Sequence, residues 1–468
     1  MKILYILSGL GVVALLAEMF RFKKFLLPIV LVGLLGAIGC VIKDWNTDIH
    51  YYNDMLTFNN YALLFSCVIL GTAFLWFMMS GNFFRQETSR TDHFALVLFA
   101  LCGAVILVSY SNMVMLFLGI EILSIPLYVL AGSRKDDLSS NESALKYFLM
   151  GAFATGFLLF GIALLYGCFG TFNIHTIQTY LTPPMSSQAR PSDSQWVLLS
   201  GGILFMLIGM SFKVSAVPFH FWAPDVYTGA PTQVTAFMAS IVKTAAFAAF
   251  LRLFICFAGV AQTWTNIIWV MAALTILLGN ITAVYQSNIK RMLAYSSISH
   301  AGYMLLGILA MNVNSSGAIL FYAAAYSVST IGAFAVLTIL EKNGEAITFD
   351  SLAGLAKRNP LVALAMTIAM LSLSGIPPLA GFFGKYYIFT SALTSGYVWL
   401  VLIAVLGSLI GVYYYFKVII TMYLKKKVEA EVKVEEIQIS LLQKILLVIT
   451  IVAALILGIF PDAVIRLI

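Results

Sequence analysis

Charged side chains inside long apolar runs are the residues of this sequence whose type and position could do chemistry. Lys213, Lys243 and Lys385 each stand within a hydrophobic stretch, and Glu121 stands in the middle of another. A charge at the centre of a bilayer costs at least about 2.5–3.5 kcal/mol, so it is seldom retained without a use. The default interpretation of such intramembrane residues is an ion or proton pathway.

Glu121 lies about ten residues from either end of its apolar run. Moving a carboxylate towards or away from a buried lysine changes the proton affinity of both groups, and this can serve as a switch for proton capture and release. We therefore predict that Glu121 controls the protonation of a neighbouring lysine. A purely structural ion pair is the alternative interpretation.

Four further residues carry weaker signals. Lys146 lies near one end of its apolar run, so its side chain could instead extend to the membrane surface. For Lys417, extension of the side chain to the membrane surface is the favoured interpretation. His300 follows a run rich in serine, which fits a proton relay, although a packed histidine fits equally well. His220 lies in a proline-rich segment and is a candidate for proton uptake on the cytoplasmic side.

The composition excludes a soluble enzyme. Hydrophobic residues make up 61% of the 468 residues and charged residues only 10%, with a mean hydropathy of +0.96; soluble chains carry about 25% charged residues. Unbroken apolar runs also exclude a membrane β-barrel, whose strands alternate in polarity. The net charge of +7 comes from basic residues in short connecting segments, and we predict no nucleic-acid partner.

The chain shows no sequence sign of a cofactor. Its five cysteines are scattered singly, without the spacing of a metal or iron–sulfur site. No Gly-rich phosphate loop follows a strand, because no strand is predicted. We therefore predict no metal and no cofactor in this chain, and we expect its energy source to lie elsewhere.

The apolar runs predict an all-α polytopic membrane protein with about 14 helices in one transmembrane domain, 1–468. Two helices are predicted to be broken, because three prolines follow Lys213 and Pro377-Pro378 interrupts another run. Broken backbone at membrane depth is tolerated only where it lines protein or water, so both breaks are candidate functional sites. The predicted spans are 2–20, 24–43, 57–81, 93–110, 112–131, 143–168, 196–216, 231–256, 263–285, 289–311, 315–341, 360–395, 398–424 and 441–466.

A weak similarity between 144–148 and 318–322 predicts two five-helix repeats, spans 4–8 and 9–13, each with a broken helix. Because five is odd, the second repeat would enter the membrane from the opposite side, as in an inverted-topology repeat. The predicted parts are the N-terminal helices 1–81, the first repeat 93–256, the second repeat 263–424 and the C-terminal helix 441–466.

Basic residues in the connecting segments predict the orientation. Segments on one side carry 17 lysines and arginines and those on the other side carry five. Since cytoplasmic loops are enriched in these residues, the richer side is predicted to be cytoplasmic and both termini to lie on the other side, the periplasm of a bacterial inner membrane. The segment 425–440, in which lysine and glutamate alternate, is predicted to be a solvated cytoplasmic connector.

Three long motifs of the sequence resemble those of a known protein family. Together they are similar to the antiporter-like membrane subunits of respiratory complex I, and the similarity spans the whole chain. The first motif is similar to the corresponding motif of the smallest of three paralogues in that family. That paralogue is also similar in having a lysine, rather than a glutamate, at the second break. The motifs are FKVSAVPFHFWAPDVYTGAP at 212–231, NIKRMLAYSSISH at 288–300 and GIPPLAGFFGK at 375–385.

The resemblance implies a function. Electrons would pass from NADH to quinone in other subunits, through FMN and iron–sulfur clusters, and this chain would couple that reaction to proton translocation. Its implied partners are the neighbouring antiporter-like subunit M, the small subunits K and J, the lateral helix of subunit L, and membrane lipid. Position by position, the residues implied to translocate protons are Glu121, Lys146, Lys213, Lys243 and Lys385, with His300 and His220 as relay residues.

The implied route begins at Lys213, continues to Lys243, crosses the midplane to Lys385 and ends on the opposite side. Glu121 would act as a gate by pairing with Lys213 or with a lysine of the adjoining subunit. Two alternatives remain open from the sequence. The chain could be a subunit of a multisubunit Na⁺ or K⁺/proton antiporter, or a scaffold of the membrane arm that does not pump.

Overall fold

Helices make up nearly all regular structure in the computed structural model, which describes residues 1–20, 22–81, 91–182, 192–341, 346–424 and 439–465. Within these ranges, 12 helices are long and apolar enough to cross a membrane. Two shorter apolar helices, Lys2–Ala17 and Pro360–Ser374, fall on two more predicted spans. The polytopic all-α class is confirmed, and the count of 14 spans stays a prediction.

The N-terminal part holds three helices and one small departure from the expected all-helical chain. A two-stranded antiparallel hairpin precedes α3, and its turn contains Tyr52, Asn53 and Asp54 at positive φ. The prediction of no strand was wrong here, because strands of three residues are too short to show a readable alternation of polarity. The elements are α1 Lys2–Met19, α2 Leu26–Lys43, β1 Ile49–Tyr51, β2 Leu56–Phe58 and α3 Asn60–Met79.

The first predicted repeat contains the longest helix, α6, which starts five residues before the predicted span because Asp137 caps it. Its fourth span is broken, and its last span contains a π-helical segment, Met238–Val242. The helices are α4 Thr91–Ser109, α5 Met113–Ala131, α6 Leu138–Phe169, α7 Ile174–Leu181, α8 Asp193–Val214, α9 Trp222–Gly229, α10 Thr232–Phe237 and α11 Lys243–Cys256.

The second predicted repeat again breaks its fourth span, here between α17 and α18. Within the described part of the chain, α13 packs against α9 of the first repeat as well as against α12 and α18 of its own. The helices are α12 Thr265–Val284, α13 Ile289–Ala310, α14 Ser315–Leu340, α15 Phe349–Leu352, α16 Leu355–Arg358, α17 Pro360–Ser374, α18 Ala380–Thr394 and α19 Val398–Leu424, followed by α20 Leu441–Ile459 and α21 Asp462–Ile465.

Some of the predictions fall outside the described residues. These are most of the connector at 425–440 and, from the count of basic residues, those at 21, 85, 90, 190, 342 and 466. The inverted relation of the two repeats and the position of the termini relative to the membrane stay predictions.

Both predicted helix breaks are present. α8 ends where Ser215 takes a left-handed conformation (φ 62°), and α17 ends where Gly375 does so (φ 87°). Carbonyl groups at such ends lose their helical partners and need others inside a membrane. At the first break the Trp222 indole donates a hydrogen bond of 3.1 Å to the Phe212 carbonyl.

The second break depends on a close approach of two helices. The backbone of Gly381, at the start of α18, lies so near α17 that an added Cβ would come within 1.8 Å of the Ser372 carbonyl oxygen. The Gly381 N–H also donates a hydrogen bond of 3.2 Å to Ser372 Oγ. Gly381 therefore fixes how α17 and α18 meet beside Lys385.

We predict that Gly381→Ala disrupts this junction, because the Cβ would meet backbone atoms, which cannot move aside as a flexible side chain could. The expected loss of stability is about 3 kcal/mol, the upper end of the cost of overpacking. Heating the fluorescently tagged chain in mild detergent before gel filtration would measure it. Gly36→Ala is the matched control, since nothing lies within 4 Å of its Cβ position; equal midpoints for the two variants would contradict the prediction.

Candidate functional site

Lys213 lies one residue before the end of α8, at the first break. Its ammonium is buried and donates a hydrogen bond of 2.6 Å to Ser124 Oγ on α5. It also lies 5.9 Å from the centre of the Tyr147 ring, within the range of a cation–π contact. Both partners are neutral; Ser124 lies on α5 and Tyr147 lies on α6.

Glu121 lies on α5, three residues before Ser124, and is partly exposed. It is close enough to act electrostatically on Lys213. Among the described residues, however, no lysine or arginine nitrogen lies within 4.0 Å of its carboxylate, so the expected direct pair with Lys213 is not formed in this structure. The reason is geometric, since Glu121 shares the outward face of α5 with the exposed side chains of Leu118 and Ile125.

Lys243 follows the π-helical segment directly and is almost completely buried. Its ammonium donates to both the carbonyl and the hydroxyl of Ser297 on α13, each at 2.5 Å. The Tyr326 hydroxyl donates to the same Ser297 hydroxyl at 2.8 Å. A π segment is often found at functional positions, because its wider turn shifts the side chains that follow.

His300 is buried on α13 and contacts a tyrosine hydroxyl through each ring nitrogen. Nδ1 lies 2.5 Å from the hydroxyl of Tyr322, and Nε2 lies 3.0 Å from that of Tyr415. The Tyr415 hydroxyl also bonds to Ser296 Oγ. An imidazole between two hydroxyls can accept a proton on one side and release one on the other, as a relay requires.

Lys385 lies in α18, just after the second break. Its ammonium is buried and donates to the Ser374 carbonyl at 2.8 Å and to Ser408 Oγ at 2.7 Å. It lies 5.2 Å from the centre of the Tyr303 ring. The Ser374 carbonyl is available because α17 ends there, so the break itself supplies part of the site.

One helix connects the second and third lysines. Ser297, His300 and Tyr303 follow each other at three-residue intervals on α13, so they lie on neighbouring turns of one side. The first contacts Lys243 and the last contacts Lys385. A cavity of about 10 Å³ lies beside His300 and Tyr322, close to the minimum that one water needs.

Lys146 does not lie deep in the protein. Its ammonium pairs with Asp225 of α9 at 2.7 Å and with Glu142 of its own helix at 2.6 Å, and its side chain is 38% exposed. Arg291 of α13 pairs with the other oxygen of Asp225 at 3.0 Å. Asp225 thus joins the first repeat to the second, and Lys146 belongs to a surface ion-pair network.

Asp225 keeps its charge because of these partners. Burial alone would raise the pKa of this carboxyl, but the hydrogen bonds from Lys146 and Arg291 bring its pKa below the ordinary value. The residue lines a cavity of about 350 Å³ whose other charged walls include Arg134, Lys290 and Glu341.

His220 is buried between α8 and α9, beside Phe221. Its Nδ1 has no hydrogen-bond partner among the described residues. The charged cavity near Asp225 is not lined by His220. The structure therefore does not bring His220 together with Lys146, although the sequence predicted a related role for both.

Sequence reasoning missed several hydroxyl-bearing residues that contact the lysines or His300. They were missed because serine and tyrosine are common in membrane helices and nothing in one sequence marks which of them face a buried charge. The spacing of Tyr322 and Tyr326, four residues apart and therefore on one face of a predicted helix, is the one signal that could have been used. The residues are Ser124, Ser297, Ser374, Ser408, Tyr303, Tyr322, Tyr326 and Tyr415.

No group of three or more His, Cys, Asp or Glu side chains is placed to hold a metal ion in the described part of the chain. Its five cysteines are free, and two of them, Cys102 and Cys256, are buried. That the chain carries no cofactor stays a prediction.

Comparisons with known proteins agree with this architecture. Residues 111–411 match the family model described as NADH:quinone oxidoreductase/Mrp antiporter, TM. The NADH-quinone oxidoreductase subunit N of Cytophaga hutchinsonii is 43% identical, over 100% of this chain and 99% of that protein. The subunit N of Flavobacterium psychrophilum is 40% identical over the full length of both chains.

Solved structures show the same fold. A chain of respiratory complex I from Thermus thermophilus superposes with a TM-score of 0.84 at 32% identity, covering 99% of this chain and 98% of that one. A chain of the Mrp complex from Dietzia sp. DQ12-45-1b gives a TM-score of 0.86 at 20% identity, covering 99% and 95%. At that identity the second likeness concerns the fold alone.

We predict that Asp225→Asn lowers stability, because Lys146 and Arg291 lose their shared carboxylate. The groups are about one-third exposed, so the expected loss is about 1 kcal/mol once solvent screening is allowed for. The heating assay described for Gly381 would measure it. Glu142→Gln is the control, since Glu142 pairs only within its own helix; an equal or larger effect there would contradict the bridging role of Asp225.

Proposed function

The chain belongs to the NADH-quinone oxidoreductase subunit N family, and from that premise we propose how its buried charges carry protons. It is a proton-translocating, antiporter-like membrane subunit of NADH-quinone oxidoreductase, respiratory complex I. It is a multi-pass protein of a bacterial membrane. The steps and residues that follow are our proposal.

The proposed route passes from Lys213 to Lys243 and then along α13 to Lys385. The observation that carries it is the row of Ser297, His300 and Tyr303, whose ends contact Lys243 and Lys385. A proton leaving Lys243 would pass through the Ser297 hydroxyl and the imidazole of His300, and water would complete the remaining gaps. Neutral hydroxyl and carbonyl partners support this proposal, because they accept hydrogen bonds from the ammonium without holding its proton as strongly as a carboxylate in an ion pair would.

Glu121 would act as the gate. It influences Lys213 electrostatically without an ion pair in the described structure, so either residue can change partners. The partly exposed face of α5 that carries Glu121 supports a contact with a neighbouring subunit, where a lysine could compete for the carboxylate. Withdrawal of Glu121 would destabilise the ammonium of Lys213 and promote transfer of its proton towards Lys243.

The proton would be taken up from the cytoplasm and released on the periplasmic side, with both termini on the latter side. The charge asymmetry of the connecting segments supports this orientation. Lys146 and His220 would take part at the uptake side. For Lys146 this proposal is supported by its exposed position at the charged cavity.

The remaining chemistry would be done by partner subunits. We propose that NADH reduces quinone there through FMN and iron–sulfur clusters, while this chain carries no redox group. Subunits M, K and J and the lateral helix of subunit L are the proposed neighbours in the membrane arm. The alternative of an Na⁺ or K⁺/proton antiporter has less support, because the relatives of highest identity quoted above are named for NADH-quinone oxidoreductase.

We predict that Lys243→Met abolishes coupled activity, because methionine has similar length but cannot bind a proton. In inverted membrane vesicles, NADH-driven quinone reduction and proton uptake should both fall at least about tenfold, with an intact complex on native gels. Full retention of both activities in an assembled complex would contradict the route and favour a non-pumping scaffold.

We predict that Lys417→Met is nearly silent in the same assay. Lys417 is only partly buried, and its ammonium lies 4.3 Å from the centre of the Phe349 ring in the short helix α15, which carries none of the three proposed proton carriers. Loss of one cation–π contact costs about 0.5–1 kcal/mol and should leave pumping intact. A strongly impaired but assembled variant would assign Lys417 to the pathway.

A further inference from the structure

Lys290 is a buried lysine that the proposed route does not use. It lies in the first turn of α13, and the residue is only 8% exposed. Its ammonium donates to the carbonyl of Ala230, directly after α9. In the described part of the chain, no carboxylate oxygen lies within 4.0 Å of it, so its contacts are again neutral.

Lys290 lines the cavity of about 350 Å³ described above. Ion pairs border this cavity, Arg134 with Glu341 at 2.7 Å and Asp225 with Lys146 and Arg291. A polar space of this size has room for several waters and enough partners to hold them. Water in the cavity would therefore reach a buried lysine.

A line of polar groups continues from this cavity to Lys243. Lys290 and Ser297 are seven residues apart, which places them on the same side of α13, about 10.5 Å apart along its axis. Tyr227 of α9, three residues before Ala230, is buried, and α9 packs directly against α13, the helix that carries Ser297. Ser297 in turn accepts from Lys243.

In the described part of the chain no hydrogen-bonded side chain links Lys213 to Lys243, so the proposed transfer between these two lysines depends on water. The hydrogen-bond partner of Lys213 is Ser124 and its aromatic contact is Tyr147, both on helices that carry no partner of Lys243 in the described structure. Among the described residues, the hydrogen-bond partners of Lys243 all lie on α13. The polar surroundings of the two lysines are therefore separate.

We propose that Lys290 and Tyr227 form a second proton entrance that supplies Lys243 directly from the charged cavity. A proton from cavity water binds the neutral amine of Lys290 and is passed on through water to Tyr227. The Tyr227 and Ser297 hydroxyls each accept one proton and release another, and the neutral amine of Lys243 accepts the last. One positive charge moves, and only O–H and N–H bonds form and break. This inference rests on the proposed function.

Two substitutions test the entrance in inverted vesicles, with assembly checked on native gels. Tyr227→Phe removes only the hydroxyl, and Lys290→Arg keeps a cation and a donor for the Ala230 carbonyl but cannot release a proton. Each should lower NADH-driven proton uptake at least about fivefold. Tyr110→Phe is the matched control, because it removes a buried hydroxyl that donates to the Ala249 carbonyl in the middle of α11, and it should leave the rate unchanged.

The outcomes separate the inference from the function on which it rests. If Lys243→Met abolishes pumping while Tyr227→Phe and Lys290→Arg pump at the parent rate, the second entrance is wrong and the route through Lys213 stands. If Lys290→Met lowers proton uptake but Lys290→Arg pumps at the parent rate, Lys290 has only a structural role, and the inference is overturned. If Lys243→Met is itself silent, the proposed function fails first.

The cavity can be tested independently of pumping. Thr228 lines it, so Thr228→Cys should react with a membrane-impermeant cationic thiol reagent in inverted vesicles and not in right-side-out vesicles. The parent chain, with its five native cysteines, gives the background. No labelling above background from the inverted side would show that the cavity is closed to the cytoplasm and would overturn the entrance.

Discussion

A lysine ammonium inside a membrane protein must be solvated by the protein itself. The rest of this structure depends on which groups accept hydrogen bonds from the buried lysines. Lys213, Lys243 and Lys385 are each solvated by serine hydroxyls, two of them with the help of a backbone carbonyl. A carboxylate would bind an ammonium more strongly and hold its proton. Neutral partners satisfy the hydrogen-bond donors and still allow the lysine to exist without its proton.

The helix breaks follow from the same requirement. In an unbroken helix each carbonyl already accepts from the N–H four residues along, so an outside donor must share it, as Lys243 does at Ser297. Where α17 ends, the Ser374 carbonyl becomes free and accepts from Lys385. The left-handed Gly375 ends the helix at that point, and the close approach at Gly381 fixes the position from which Lys385 reaches back. The break is therefore part of the lysine site.

The sequence predicted those parts of the site that contrast with an apolar background. A lysine in a hydrophobic run and a proline-rich interruption are visible along the chain, so Lys213, Lys243, Lys385 and both breaks could be located. The partners could not be located, since Ser297 or Tyr415 differs in no local way from other hydroxyl residues. The depth of Lys146 was also hidden, because α6 begins at Leu138 and leaves the side chain at the charged surface. Distances between helices, such as that between Glu121 and Lys213, are set by packing that no single sequence displays.

The arrangement of α13 has a consequence for how the two repeats can move. This helix belongs to the second repeat, yet Lys290, Arg291 and Ser297 contact Ala230, Asp225 and Lys243 of the first. Its other contacts, through His300 and Tyr303, lead to Lys385 in its own repeat. A shift of one repeat against the other would therefore alter both the ion pairs at the charged cavity and the hydrogen bonds at Lys243. Because α13 carries both sets of contacts, this one helix both connects the two repeats and forms part of the proposed proton path.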